Sequence, residues 1–260
     1  MSNLSELLPT GGGQNSVEFV ASGTLASGQT VALRSDGKVE AVAVVPESVG
    51  SAVVFEAADS PYVTSTFDSN SNKIVVSYRD DGNSNYGTAV VGTVSGTSIS
   101  FGTPVVFLAN TVSGRSVVFD STNNKIVIGF YYYNGSANIG TAIVGTVSGT
   151  SISFGSAVSI AGSSRPTYIS LAYDANAQRV VASYRDANNS DYGTAVVGTV
   201  SGTSISFGSP VIFKSANTPH VASTFDSNAN KVVVAYQDAT NASYGTAIVG
   251  TVSGTSISFG

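Results

Sequence analysis

One twelve-residue stretch constrains this chain more than any other feature. Val-Gly-Thr-Val-Ser-Gly-Thr-Ser-Ile-Ser-Phe-Gly runs from Val91 to Gly102 and returns unchanged from Val144, Val197 and Val249. The copies start 53, 53 and 52 residues apart. Self-similarity at such a period signals a solenoid, a propeller or a linear array, because one short unit cannot bury its apolar face alone and must stack on its neighbours.

The unit reads as β structure. In the first copy, Pro61–Asp68, Lys73–Asp80, Tyr86–Val94 and Thr97–Phe107 are four runs of β-formers. They are parted by Ser-Asn-Ser-Asn, Asp-Gly-Asn-Ser-Asn and Ser-Gly turns, and runs so bounded read as antiparallel strands. Nothing in the unit shows the i, i+3, i+4 spacing of a helix. Four strands in about 53 residues, repeated without linkers, is the sequence form of a propeller blade. The expected fold is therefore all-β: a β-propeller of four four-stranded blades, with a linear array of β-repeats as the alternative. The repeats span approximately 49–102, 103–155, 156–208 and 209–260. Residues 51–55 align with the half strand that would follow Gly260, so the ring closes on itself or belongs to a longer array.

Two segments precede the repeats. Residues 1–15 form an N-terminal arm whose Leu4, Leu7 and Leu8 share one short apolar face before Pro9 and three glycines. It reads as a frayed terminus or as a docking peptide. Residues 16–48 alternate apolar and polar and read as a small β-module. Its Ser35-Asp36-Gly37-Lys38 turn suits a tight hairpin, because Asp-Gly readily takes positive φ angles.

Composition narrows the function classes. Charged residues are only 10% of the chain, against about 25% in typical domains. The net charge of −5 argues against nucleic acid as a partner, since phosphates attract basic surfaces. The chain has no cysteine, so neither disulfides nor thiolate chemistry is expected. No run of 18 apolar residues suggests a membrane span, and the N-terminus lacks the pattern of a signal peptide.

Three recurring clusters are candidate sites. The turns beginning at Asp68, Asp120, Asp174 and Asp226 carry Asp-x-Asn-x-Asn or close variants. That spacing can offer oxygens to calcium but lacks the Glu and Gly of an EF-hand loop, so a hairpin turn is expected and no metal. The second cluster ends the second strand: Tyr78-Arg79-Asp80, Phe130-Tyr131-Tyr132, Tyr184-Arg185-Asp186 and Tyr236-Gln237-Asp238. The loops that follow hold most of the differences between copies, which is how a recognition face is built on a constant scaffold. The third cluster, at the start of the first strand, is Tyr62, Gly114, Tyr168 and His220, with Arg115 and Arg165 close by. In a propeller these would surround one mouth of the central channel.

The catalytic inventory is thin. One histidine without a nucleophile motif does not suggest a triad, and no cofactor motif is present. Glu6, Glu18, Glu40, Glu47 and Glu56 all precede or open the repeats, so a glycosidase pair would have to come from aspartates. A propeller sialidase site is not suggested, for the chain has no Trp and its arginines are scattered.

Residues 21–39, Ala-Ser-Gly-Thr-Leu-Ala-Ser-Gly-Gln-Thr-Val-Ala-Leu-Arg-Ser-Asp-Gly-Lys-Val, resemble a small β-module of tailed-phage virion proteins. The Phe-Asp-Ser-Asn-x-Asn-Lys and Tyr-Gly-Thr-Ala-Val-Val-Gly-Thr-Val-Ser-Gly-Thr-Ser-Ile-Ser-Phe-Gly patterns are similar to repeats in fibre and appendage proteins of marine phages. The resemblance implies a virion location. It also implies a non-enzymatic structural protein, a homo-oligomer anchored to other virion proteins through its N-terminal region and displaying its repeats to host-surface glycans or neighbouring subunits. The alternative is a carbohydrate-binding or carbohydrate-active propeller, a lectin or a glycosidase.

Overall fold

The computed structural model describes residues 19–42, 49–162 and 165–260. The expected anchor leucines Leu4, Leu7 and Leu8 lie outside the described residues. The chain divides into two compact units, Met1–Val49 and Gly50–Gly260.

In the first unit, strands β1 (Val31–Leu33) and β2 (Val39–Ala41) pair antiparallel. The Asp-Gly turn forms as its residues dictate. Gly37 sits at φ +79, and the Lys38 amide donates to Asp36 Oδ1 at 3.1 Å. Val39 is the one core residue of this unit among those described.

The second unit contains no helix among its described residues, and its named strands pair antiparallel throughout. Repeat 1 supplies β3 (Thr64–Asp68), β4 (Lys73–Asp80), β5 (Tyr86–Ser95) and β6 (Ser98–Phe101) as a meander. The long β7 (Val105–Asp120) belongs to two repeats. Its first half pairs with β5, and its second half pairs with β8 (Lys125–Tyr133). The expected continuous fourth strand is thus two pieces, β6 and the start of β7. They are interrupted at Gly102–Pro104, where a proline has no amide for a ladder.

Repeat 2 continues with β9 (Asn138–Ser148), β10 (Ser151–Phe154) and the two-residue β11 (Val158–Ser159). Repeat 3 holds β12 (Pro166–Asp174), β13 (Arg179–Asp186), β14 (Tyr192–Ser201), β15 (Ser204–Phe207) and β16 (Val211–Asn217). Repeat 4 holds β17 (Ala222–Asp226), β18 (Lys231–Asp238), β19 (Tyr244–Ser253) and β20 (Ser256–Phe259).

Each sheet is apolar on both faces because alternate residues point to opposite sides. Val75, Ala89 and Val91 form the front of repeat 1, and they pack on Ile126, Ile128, Phe130, Ile143 and Ile152 at the back of repeat 2. The same join recurs from repeat 2 to repeat 3 and from repeat 3 to repeat 4. Each fully buried valine contributes about 1.5–2 kcal/mol by leaving water.

The aspartate turns close the first two strands. Asp68 Oδ1 accepts from the Asn70 and Ser71 amides at 3.0 Å each. Asp120 and Asp226 do the same in their repeats. The last turn residue is left-handed in all four copies: Asn72, Asn124, Gln178 and Asn230. Asn adopts that conformation at low cost, and the Asp oxygen is already committed to the backbone.

Candidate functional site

The site lies at the end of the sheets opposite these turns. At one equivalent point before or within each first strand the backbone turns left-handed: Tyr62 (φ 59), Gly114 (φ 48), Tyr168 (φ 51) and His220 (φ 54). Three of these are not glycine, and such residues cost about 1–3 kcal/mol each where the surroundings enforce them. In β7 and β12 the pairing slips at this point, between Ser113 and Ser116 and between Thr167 and Ser170. A bulge of this kind re-aims a side chain out of the sheet.

The aromatic rings so aimed collect arginines. The Arg79 guanidinium lies 5.3 Å from the Tyr62 ring centre, and Arg115 lies 5.8 Å from it. Arg185 stands 4.9 Å over Tyr168, whose ring meets His220 at 5.1 Å. Repeat 2 solves the same position differently. A Cβ on Gly114 would fall 2.3 Å from the Tyr131 ring, so glycine there lets Tyr131 take the place that Tyr62, Tyr168 and His220 hold elsewhere. Tyr62, Val63, Gly114, Arg115, Tyr131, Tyr168, Ile169 and Val221 line a cavity of about 290 Å³, near the lower end of ligand cavities at about 300 Å³.

Charge around the cavity is unevenly matched. Arg79 holds Asp81 through an Nη2–Oδ2 contact of 2.9 Å, and this hydrogen bond keeps the Asp81 carboxyl below the usual carboxylate range. Arg185 has Asp191 at 3.4 Å and donates to Thr167 Oγ1 at 3.1 Å. Arg115 pairs with no carboxylate among the described residues. It donates to the carbonyls of Pro61 and Tyr62 at 2.8 and 3.2 Å, and its Nη1 has no protein partner. Burial first, and the Arg79 charge second, bring Arg115 down to about 10. Burial also raises Tyr131, and the neighbouring Tyr62 and Tyr168 push the same way.

The structure redistributes the residues singled out in the sequence. Tyr131 lines the cavity with Tyr62, Arg115 and Tyr168, Arg79 and Arg185 stand over the Tyr62 and Tyr168 rings, and His220 touches Tyr168 while lining a second cavity. Arginines scattered along the chain are gathered in space, because Arg79 and Arg185 on the second strands of repeats 1 and 3 and Arg115 on the first strand of repeat 2 lie at the same end of their sheets. Tyr78 and Tyr184 are fully buried and Tyr236 nearly so; Tyr184 and Tyr236 fill joins between sheets, and Tyr78 packs against Phe55 within repeat 1. Asp80, Asp186 and Asp238 are also buried. They accept from loop amides, as Asp186 Oδ1 does from Asn188 at 3.0 Å. Tyr132 rests against Phe130. Arg165 is held by its amide to Asp186 Oδ1 at 3.3 Å and is not among the cavity-lining residues.

Asp81 and the left-handed backbone at the rim were not read from the sequence. The signal for the second was a glycine aligned with two tyrosines and a histidine.

No family model matches this chain, and no curated protein matches it. Among solved structures it is similar to an exo-beta-1,3-galactanase from Phanerochaete chrysosporium crystallised with beta-1,3-galactotriose. The TM-score is 0.50 at 12% identity, over 81% of this chain and 51% of that one. The chain thus spans about half the length of that enzyme, and the likeness is one of fold. It overturns the expectation of a non-enzymatic virion structural protein, and with it the expectation that the chain is no enzyme. Neither a family model nor a curated protein ties the chain to phage fibres.

Proposed function

We propose that this chain is a carbohydrate-active β-propeller, with its four repeats as blades and a glycan held at the mouth between Tyr62, Arg115, Tyr131 and Tyr168. The observation that carries this reading is the convergence of three tyrosines from three repeats on one cavity, with arginines against two of the rings. Tyr62 and Tyr168 keep 48% and 39% of their surface exposed. An exposed ring face stacks on the apolar face of a pyranose while phenol and guanidinium groups meet its hydroxyls.

The likeness to a galactanase favours a hydrolytic outcome as the second reading. Glycoside hydrolysis uses two carboxyl groups, one ionised and one protonated. Asp81, whose carboxyl the Arg79 hydrogen bond lowers, is the carboxylate we assign to the ionised role.

The test pairs calorimetric binding of β-1,3-linked galacto-oligosaccharides with an assay of reducing ends released from β-1,3-galactan. Tyr62→Ala and Tyr168→Ala are each expected to weaken binding by up to about tenfold, as loss of a stacking face costs about 0.5–1.5 kcal/mol. Release of sugar that disappears in Asp81→Asn supports hydrolysis. A panel of neutral and acidic glycans that shows neither binding nor release would overturn the proposal.

A further inference from the structure

Four equivalent positions line the cavity at the mouth, one from each repeat. Each follows the left-handed residue of its repeat: Val63 after Tyr62, Arg115 after Gly114, Ile169 after Tyr168 and Val221 after His220. Repeats 1, 3 and 4 place an aliphatic side chain there, and repeat 2 places a charge. The fold does not need that charge, because three repeats turn into the same strand without it.

Arg115 also lacks a countercharge. Its Nε and Nη2 edge is taken by the Tyr62 and Pro61 carbonyls of the preceding repeat. Its Nη1 is buried with no hydrogen-bond partner, and an unmade bond on a buried donor is costly, more so when the group is charged. The nearby carboxylates are engaged by other arginines, Asp81 by Arg79 and Asp191 by Arg185. Arg79 brings a second guanidinium to the Tyr62 ring that Arg115 already flanks, and its charge acts on Arg115 more strongly than that of Asp81. Even brought down to about 10, Arg115 stays charged at neutral pH.

We infer that the glycan held at this mouth is acidic, with its carboxylate at the Arg115 wall and a sugar ring on the tyrosines. This rests on the carbohydrate reading above and names the class of sugar. A planar carboxylate suits a guanidinium, which can offer it two parallel N–H donors. Nη1 is shielded from water, so pairing draws that end of the guanidinium toward the cavity. Val63, Ile169 and Val221 make the other equivalent positions apolar, and a charge pair gains strength where apolar walls keep water away. A sulfate ester carries the same charge without the planar fork, and the test separates the two.

Calorimetry compares β-1,3-linked galactobiose with the same disaccharide oxidised to the uronic acid at C6 of its non-reducing ring, and with its 6-sulfate. We expect the uronic acid to bind about tenfold more tightly than the neutral sugar, since charge-assisted hydrogen bonds are about twice as strong as neutral ones, with the sulfate between them. Added salt should narrow the gap. Arg115→Val, which installs the residue that repeats 1 and 4 carry, should abolish it, and Arg115→Lys should keep part of it. The gap is read within each variant, so a general loss of affinity does not mimic it. Equal affinity for the neutral and acidic sugars in the parent protein would overturn this inference and leave the carbohydrate reading standing. So would a gap that survives in Arg115→Val. A sulfate bound more tightly than the uronic acid would overturn the assignment to a carboxylate. No binding of these three sugars or of any member of the glycan panel would overturn the carbohydrate reading and this inference together.

Discussion

Repeats 2 and 3 and repeats 1 and 4 are nearly the same sequence in different surroundings. Val144 and Val197 are sealed between sheets, while Val249, in an unchanged twelve-residue context, is half open to water. Repeats 1, 2 and 3 have buried residues on both faces, whereas the front of repeat 4 is open. The difference teaches that burial here is a property of position in the stack. The residues specify a sheet that is apolar on both faces, and its neighbours decide which face becomes core.

The comparison can be broken most severely with a charge. Val197→Asp places an unpaired carboxylate between repeats 3 and 4 and is expected to cost about 3–5 kcal/mol. Val249→Asp should alter the stability of a single copy by no more than about 0.5 kcal/mol. Urea denaturation of both variants in dilute solution measures the contrast, and equal losses would mean that the repeat 4 face is covered within one chain.

A smaller contrast comes from two equivalent glycines. Gly193→Ala drives a methyl into Phe213 and should cost about 1–3 kcal/mol, while Gly245→Ala meets open space and should stay within about 0.5 kcal/mol. Thermal melts of the two variants sharpen the comparison, because the glycines are equivalent in sequence and differ only in what lies above them.

The smallest expected effect is electrostatic and separates the two end repeats from each other. In repeat 4, Lys214 donates to Asp238 at 2.6 Å, and that hydrogen bond lowers the Asp238 carboxyl. In repeat 1 the position of Lys214 is occupied by Glu56, and Asp80 is raised, chiefly by burial and then by Glu56. A lowered carboxyl gives stability that is present above its unfolded value and lost as pH falls through the folded value. A raised carboxyl gives the opposite sign, with stability present at low pH and lost as pH rises through the folded value. Lys214→Gln should therefore lower the melting temperature at neutral pH, with the loss fading under acid. Glu56→Gln should raise it at neutral pH and leave it unchanged under acid. Melts of both variants at pH 7 and pH 3 test the two signs.

Much of the sheet pattern was legible. The Asp-started turns, the Asp36-Gly37 hairpin and the four strand runs of each repeat follow from turn chemistry and period-2 alternation, both local properties. The site was legible in pieces. Tyr62, Tyr168 and His220 align visibly, but their union with Arg79, Tyr131 and Arg185 depends on two strands of one sheet meeting a neighbouring sheet. Tyr78 and Tyr184 read as display residues because they sit beside variable loops. The alternation that turns them inward, against Phe55 in the case of Tyr78, required knowing which face the next sheet covers.

The sequence by itself determined the period, the antiparallel β character and the turns, because these rest on contacts between residues near one another in the chain. Tertiary structure alone decided which of four equivalent valines are core, which arginines share a ring and which glycine faces open space. Those outcomes depend on contacts between repeats about 53 residues apart, and near-identical copies carry almost no local mark of their place in the stack.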